Sequence, residues 1–263
     1  MKYTYKKTDI SYRERGEGPA VILVHGFLEN QKMWDDVVQT LKETHQVYTL
    51  DLLGHGDSDG LCDIHTMEQQ AMLINDLMQR EKIIKATLIG HSMGGYVSLA
   101  FAEMFPEKLT GLGLLNSHPF ADNIEKQEAR ERAIKTVKRN YEAYVKAAIP
   151  SFFAPDNREK YHDEIDKLIH EALKMTPENI IAALKGMKLR KDRSDLFCKR
   201  QHFPKLWIIG KKDPLIDLEK IRDLAAHCKG TDYIELGEGH MSYVENKIEM
   251  PAVIKRFLQR NDL

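Results

Sequence analysis

Cysteine is scarce in this chain. Its three cysteines, Cys62, Cys198 and Cys228, are odd in number and widely spaced. They show neither the CxxC spacing of a metal or redox site nor a disulfide framework, so they predict a reducing, cytoplasmic setting. Long apolar runs are missing as well. The opening MKYTYKKTDISYRERGEG has no apolar signal core, and no later stretch reaches the roughly 20 apolar residues of a membrane helix, so no membrane association is expected. Charge of neither sign dominates: 39 Lys and Arg stand against 40 Asp and Glu. That balance removes the electrostatic argument for nucleic acid or an anionic membrane as partner. Internal repeats and low-complexity tracts are absent, and nothing in the sequence bears on oligomeric state.

What is present is a long alternation of elements. The 263 residues suffice for one large domain, or for a domain carrying an inserted lobe. YTYKK and ISYRERGEG read as short, partly polar strands. AVILVHG (20–26) is a continuous apolar run ending in glycine, as a strand buried on both faces should be. A helix follows over 34–41, then VYTLDLLGHG (47–56), a buried strand running into a glycine-rich loop, a helix over 66–81, strand ATLIG (86–90), a helix over 94–104 and the strand-like LTGLGLLNS (109–117). This pattern predicts an α/β protein with a mainly parallel sheet covered on both faces. From 119 to 193 the sequence turns charged and helical, broken by Pro150, Pro155 and Pro177, with no strand and no persistent heptad. It is expected to be a helical lobe inserted into a core of residues 1–118 and 194–263. LWIIGKKD and DYIELGEGH then restore the strand signal, with helices near 217–228 and 243–259.

The chemistry-bearing pattern is Gly90-His91-Ser92-Met93-Gly94, a G-x-S-x-G between strand and helix. Such a turn forces strained backbone angles on the serine, and larger neighbours would collide there. It lifts the hydroxyl above the sheet edge and sets the Met93 N–H at a helix N-terminus, where a developing oxyanion can be held. A serine hydroxyl also needs a base to take its proton. His240, in LGEGH after the last strand, is the expected base, and Asp213, ending LWIIGKKD, the acid that orients it. The order Ser, Asp, His suits this architecture. Gly26 lets the backbone turn close to the nucleophile, so the Phe27 N–H is the expected second oxyanion donor.

Rivals have ordinary explanations. Asp217 reads as a helix N-cap, and Asp232 precedes its strand. His25, at a strand end, fits a structural hydrogen bond. His55, Asp57 and Asp59 fit a glycine-rich turn tied by Asp and Ser side chains. His162, Asp166 and His170 share a helix face that reads as solvated, and no metal site is expected. Trp34, Met93, His118, Phe120, Phe152, Phe153 and Met241 are candidate pocket lining. Arg130, Arg132, Arg139 and Arg190 could serve an anionic substrate but read first as a solvated helix face.

With HGF (25–27), LDLLGHGDSDG (50–60), GHSMGG (90–95), GKKDP (210–214) and GEGH (237–240) in order, the chain resembles the α/β-hydrolase superfamily over nearly its whole length. The resemblance implies an eight-stranded, mostly parallel sheet with a helical cap inserted after strand six. It implies Ser92, Asp213 and His240 as catalytic residues, Phe27 and Met93 amides as oxyanion donors, and no metal or organic cofactor. Ser92 separates the chain from haloalkane dehalogenases and epoxide hydrolases, which use an aspartate nucleophile. GHSMGG resembles carboxylesterases, lactonases and cofactor-free haloperoxidases, which also act as perhydrolases. HGFLEN is similar to the menaquinone-pathway lyase, which typically carries arginine where Tyr96 stands. Meta-cleavage C–C hydrolases and receptor-like members share the frame too. The expected activity is hydrolysis of a small or medium carboxylic ester, or a lactone, with a small-molecule substrate as partner and neither nucleic acid nor membrane.

Overall fold

The computed structural model describes residues 1–261. The chain begins with β1 (Lys2–Tyr5), β2 (Thr8–Arg15), β3 (Ala20–Val24), α1 (Asp35–Leu41), β4 (Gln46–Leu50), α2 (Met67–Arg80), β5 (Ala86–His91), α3 (Met93–Met104) and β6 (Leu109–Leu115). Four helices follow: α4 (Ile124–Ser151), α5 (His162–Ala172), α6 (Pro177–Lys188) and α7 (Ser194–Cys198). Then come β7 (Lys205–Gly210), α8 (Leu218–Ala225), β8 (Thr231–Leu236), α9 (Ser242–Glu245) and α10 (Glu249–Asn261). The eight strands form one sheet in the order β1-β2-β4-β3-β5-β6-β7-β8. β1 and β2 run antiparallel at one edge, and every pairing from β4 to β8 is parallel.

The apolar strands are buried on both faces, as their sequences imply. Along β3, Ile22 and Val24 join one core with Leu88, Leu112, Trp207 and residues of α2 and α3. Val21 and Leu23 point the other way, into a second core with α1 and α10. A side-chain period of two divides one apolar run between two layers. Local chemistry sets the helix starts. Thr66 and Gln69 form a reciprocal capping box on α2, and the Asp217 carboxylate caps α8.

The helical stretch expected over 119–193 lies between β6 and β7. Its helices run on to Cys198, and α4 breaks at Asn140, where φ and ψ are −161° and 90°. Two strands run into loops as read: VYTLDLLGHG is extended through Leu50, and LTGLGLLNS through Leu115. Beyond each, the chain bends into the loops at the sheet's carboxyl edge.

The cysteine reading needs correction. Cys198 and Cys228 are bonded to one another, with Cα atoms 4.0 Å apart. One closes α7 just before β7 and the other precedes β8, and those strands are parallel neighbours. Their amino ends meet in space despite 30 residues of separation, which spacing along the chain does not reveal. The pairing removes the cysteine argument for a reducing compartment. Among the described residues no helix is long and apolar enough to cross a membrane.

Candidate active site

Ser92 sits where β5 turns into α3, with φ 49° and ψ −115°, a backbone state that L-residues rarely adopt. Its neighbours explain how it is tolerated. A Cβ at Gly90 would strike the Gly94 carbonyl, and one at Gly94 would strike the Val24 and His25 carbonyls. The turn is pinned from outside as well: Ser92 N–H donates to Leu115 O at 2.9 Å, and Ser117 Oγ donates to Ser92 O at 2.8 Å. With both main-chain groups held, the side chain faces a cavity of about 280 Å³ beneath the helical insertion.

His240 lines the same cavity, on the loop after β8. Its Nδ1–H donates to Asp213 Oδ2 at 2.8 Å, which leaves the Nε2 lone pair available. Burial alone would push the Asp213 carboxyl up. His240, an Asn116 Nδ2–H bond at 3.0 Å and a Leu215 N–H bond at 2.9 Å together hold it below the usual carboxylate range. Ser92 and His240 front one space without a direct hydrogen bond between hydroxyl and ring. Among the described residues, neither the Phe27 nor the Met93 amide donates to a protein acceptor. The Gly26 backbone comes so close that a Cβ there would lie 3.1 Å from Ser92 Cβ.

The pocket expectations fared unevenly. Phe27 and Phe152 line the cavity, and Phe152 stands edge-on to the His240 ring with centroids 6.1 Å apart. Trp34 does not: it faces the opposite side of the sheet, packed with α1 and α10. The Met93 side chain is core. Phe153 and Met241 are fully buried core side chains. His118 lies behind Tyr96, with Tyr96 Oη and His118 Nε2 3.4 Å apart, and Phe120 packs beyond it beneath the Lys220 ammonium. All six residues are apolar or aromatic, but strand direction and helix phase turn their side chains away from the cavity. Tyr96, Tyr144, Leu184, Met187, Leu215 and Ile216 form the wall in their place.

Three supporting groups escaped the sequence reading. Glu29 Oε2 accepts the Gly26 N–H at 2.6 Å and faces His91 Nδ1 at 2.9 Å. His91 Nε2 faces the His240 carbonyl at 2.9 Å. Both His91 partners are acceptors, so the ring donates from both nitrogens and is an imidazolium. Burial by itself would depress its pKa; Glu29 overrides this and raises it, while Glu29 itself is held low against burial by His91. Asn116 also bonds Gly239 O at 3.2 Å and receives Ser242 Oγ–H at 2.6 Å, tying Asp213 to the base's loop. Glu245 accepts from Gly239 N–H at 3.1 Å and from Ala154 N–H of the insertion at 3.1 Å. Only HGFLEN and GHSMGG offered any signal for the first pair, through their position beside the nucleophile.

The rival residues have structural roles. His25 Nε2 accepts Leu52 N–H at 2.9 Å, so its Nδ1–H donates to Gly26 O at 2.7 Å, and burial keeps its pKa low. In the 50–60 loop, Asp51 accepts Gln31 and Asp57 amides while Ser58 Oγ–H donates to Asp51 O. Asp232, expected to precede its strand, instead lies within β8, which starts at Thr231, and pairs with Arg260. His162 is exposed beside Asp163. Arg132 and Arg139 are solvated as expected. Arg130 and Arg190 are not: they bracket Asp122, whose carboxylate is fully buried.

A profile of the alpha/beta hydrolase fold family matches residues 19–156. An uncharacterised protein of Mycobacterium tuberculosis is 36% identical over 107 residues, 41% of this chain and 31% of that one, so the match spans about a third of that relative's length. The 3-oxoadipate enol-lactonase 2 of Acinetobacter baylyi is 24% identical over 260 residues, 97% of this chain and 96% of that protein. The structure of a thermophilic esterase from Thermogutta terrifontis superposes with a TM-score of 0.91 at 28% identity, over 97% of this chain and 94% of that one. Topology, elbow and profile agree, and the chain belongs to the alpha/beta hydrolase fold family.

Proposed function

We propose that this protein is a serine hydrolase that cleaves small or medium carboxylic esters or lactones through an acyl-enzyme on Ser92. The observation that carries the reading is the 2.8 Å His240–Asp213 bond on the cavity that the strained Ser92 faces. Ser92 Oγ attacks the ester carbonyl while His240 Nε2 takes its proton. Asp213 fixes the tautomer and stabilises the imidazolium. The unpartnered Phe27 and Met93 amides receive the oxyanion. His240 then gives its proton to the leaving alcohol, and water repeats the cycle on the acyl group. Residues 119–193 act as a cap over the site. The esterase and enol-lactonase likenesses support ester-type chemistry at this frame.

The test is labelling and turnover together. A fluorophosphonate should leave one adduct, on the Ser92 peptide by mass spectrometry, and p-nitrophenyl butyrate should be turned over many times per protein. An adduct elsewhere, or none with no turnover, overturns the reading. A second expectation concerns the oxyanion site. Gly26→Ala puts a methyl 2.5 Å from Glu29 Oε2 and 3.1 Å from Ser92 Cβ, so the backbone must shift and carry the Phe27 amide with it. Losing one oxyanion donor costs about a hundredfold in kcat, and a similar fall with little change in KM is expected here.

A further inference from the structure

The cavity wall is mostly apolar, which makes its charged members informative. Glu29 is neutralised within its own pair by His91. On the insertion side, α4 contributes Lys126 and, one turn later, Arg130. Arg130 Nε–H donates to Asp122 Oδ2 at 2.9 Å, but Asp122 is shared with Arg190 at 2.7 Å. One carboxylate therefore serves two guanidiniums. Lys126 Nζ has only the Leu215 carbonyl, at 3.4 Å, and among the described residues no carboxylate pairs with it. Although Lys126 is exposed as a residue, loss of water at the cavity wall, then the Arg190 charge, hold its ammonium below the ordinary lysine range. Lys126, Arg130 and Arg190 thus gather around Asp122, with the Asp213 charge also acting on Lys126, so this edge of the cavity carries more positive than negative charge.

An ammonium at the edge of a mostly apolar wall, partly stripped of water and without a paired carboxylate, is stabilised when something anionic meets it. We infer that the substrate carries a carboxylate besides its scissile ester or lactone, and that Lys126, with Arg130 beside it, receives that carboxylate. This rests on the hydrolase reading above and specifies its substrate class. The apolar wall formed by Ala129, Ala133 and Leu184 suits the carbon chain between the two ends. The role of Lys126 is discrimination: it favours the charged ligand over a neutral one of equal length.

The test compares matched esters, followed by titration of the acid released. Monomethyl adipate against methyl hexanoate places the carboxylate on the acyl side. 4-Acetoxybutyrate against pentyl acetate places it on the alcohol side. In the wild-type protein kcat/KM should favour the charged member of at least one pair by about tenfold or more. Lys126→Met should collapse that ratio, Lys126→Glu should invert it, and added salt should weaken it in the wild type only. A ratio near one in both pairs, or one unchanged in Lys126→Met, overturns the inference while leaving the hydrolase reading intact. Failure to turn over any of the four esters while p-nitrophenyl butyrate is cleaved overturns the substrate class alone; failure with p-nitrophenyl butyrate as well overturns the hydrolase reading, and the substrate class with it.

Discussion

Ser92→Ala is expected to lower kcat for p-nitrophenyl butyrate by about 10⁴-fold or more, with a melting temperature within about 2 °C of the parent. The effect on chemistry is large because, in the proposed mechanism, His240 and Asp213 act only through that oxygen. Without it, His240 has no hydroxyl to deprotonate and no acyl-enzyme forms. The effect on stability is small because the turn is held by main-chain groups. Ser92 N–H bonds Leu115 O, and Ser92 O accepts from Ser117 Oγ and Gly95 N–H. Alanine keeps every one of these, and its Cβ occupies the place the serine Cβ already holds. The measurement is steady-state turnover beside a thermal melt. Turnover near the parent's rate in a folded variant would remove Ser92 from the mechanism.

Glu29→Gln should cost about 3–5 kcal/mol of stability, the usual loss when one member of a buried ion pair is removed. Both side chains are almost wholly buried, 2% exposed for Glu29 and 1% for His91. Glutamine leaves the imidazolium without its counter-charge and presents an amide N–H or O in a space built for two acceptor contacts. The pair also gives stability a pH window. The His91 pKa is raised, so its contribution is complete below the ordinary imidazole value of about 6.5 and is lost as pH rises through the folded value. The Glu29 pKa is lowered, so its contribution is present above the ordinary value of about 4.3 and is lost as pH falls through the folded one. Urea midpoints across pH 3–9 should show both limbs in the parent, and both should flatten in Glu29→Gln. A variant with parental midpoints and parental pH dependence would show that the pair is not an ion pair.

Much of the scaffold was legible because its signals are local. The run AVILV is too apolar and too short for anything but a doubly buried strand. Ser92 flanked by glycines, and Asp213 and His240 each following a strand, are placed by chain order alone. The pocket was not legible, because lining a cavity depends on which way a strand face or a helix turn points. Trp34 is aromatic and close in sequence to HGF, yet helix phase sends it through to the far side of the sheet. Lys126 and Arg130 read as two charges among many on a charged helix, and only the packing of α4 over the elbow separates them from solvated Arg132 and Arg139. The Glu29–His91 pair spans 62 residues and the cysteine pair 30, so neither leaves a mark on spacing.

Glu245 has a consequence for how substrate enters. Its carboxylate grips the Ala154 amide above and the Gly239 amide next to His240 below. The insertion and the loop that carries His240 are thereby yoked to one side chain. On the proposed mechanism, raising the insertion at Ala154 would either break that contact or pull on the loop that holds the base, so admission of substrate and reaction would compete.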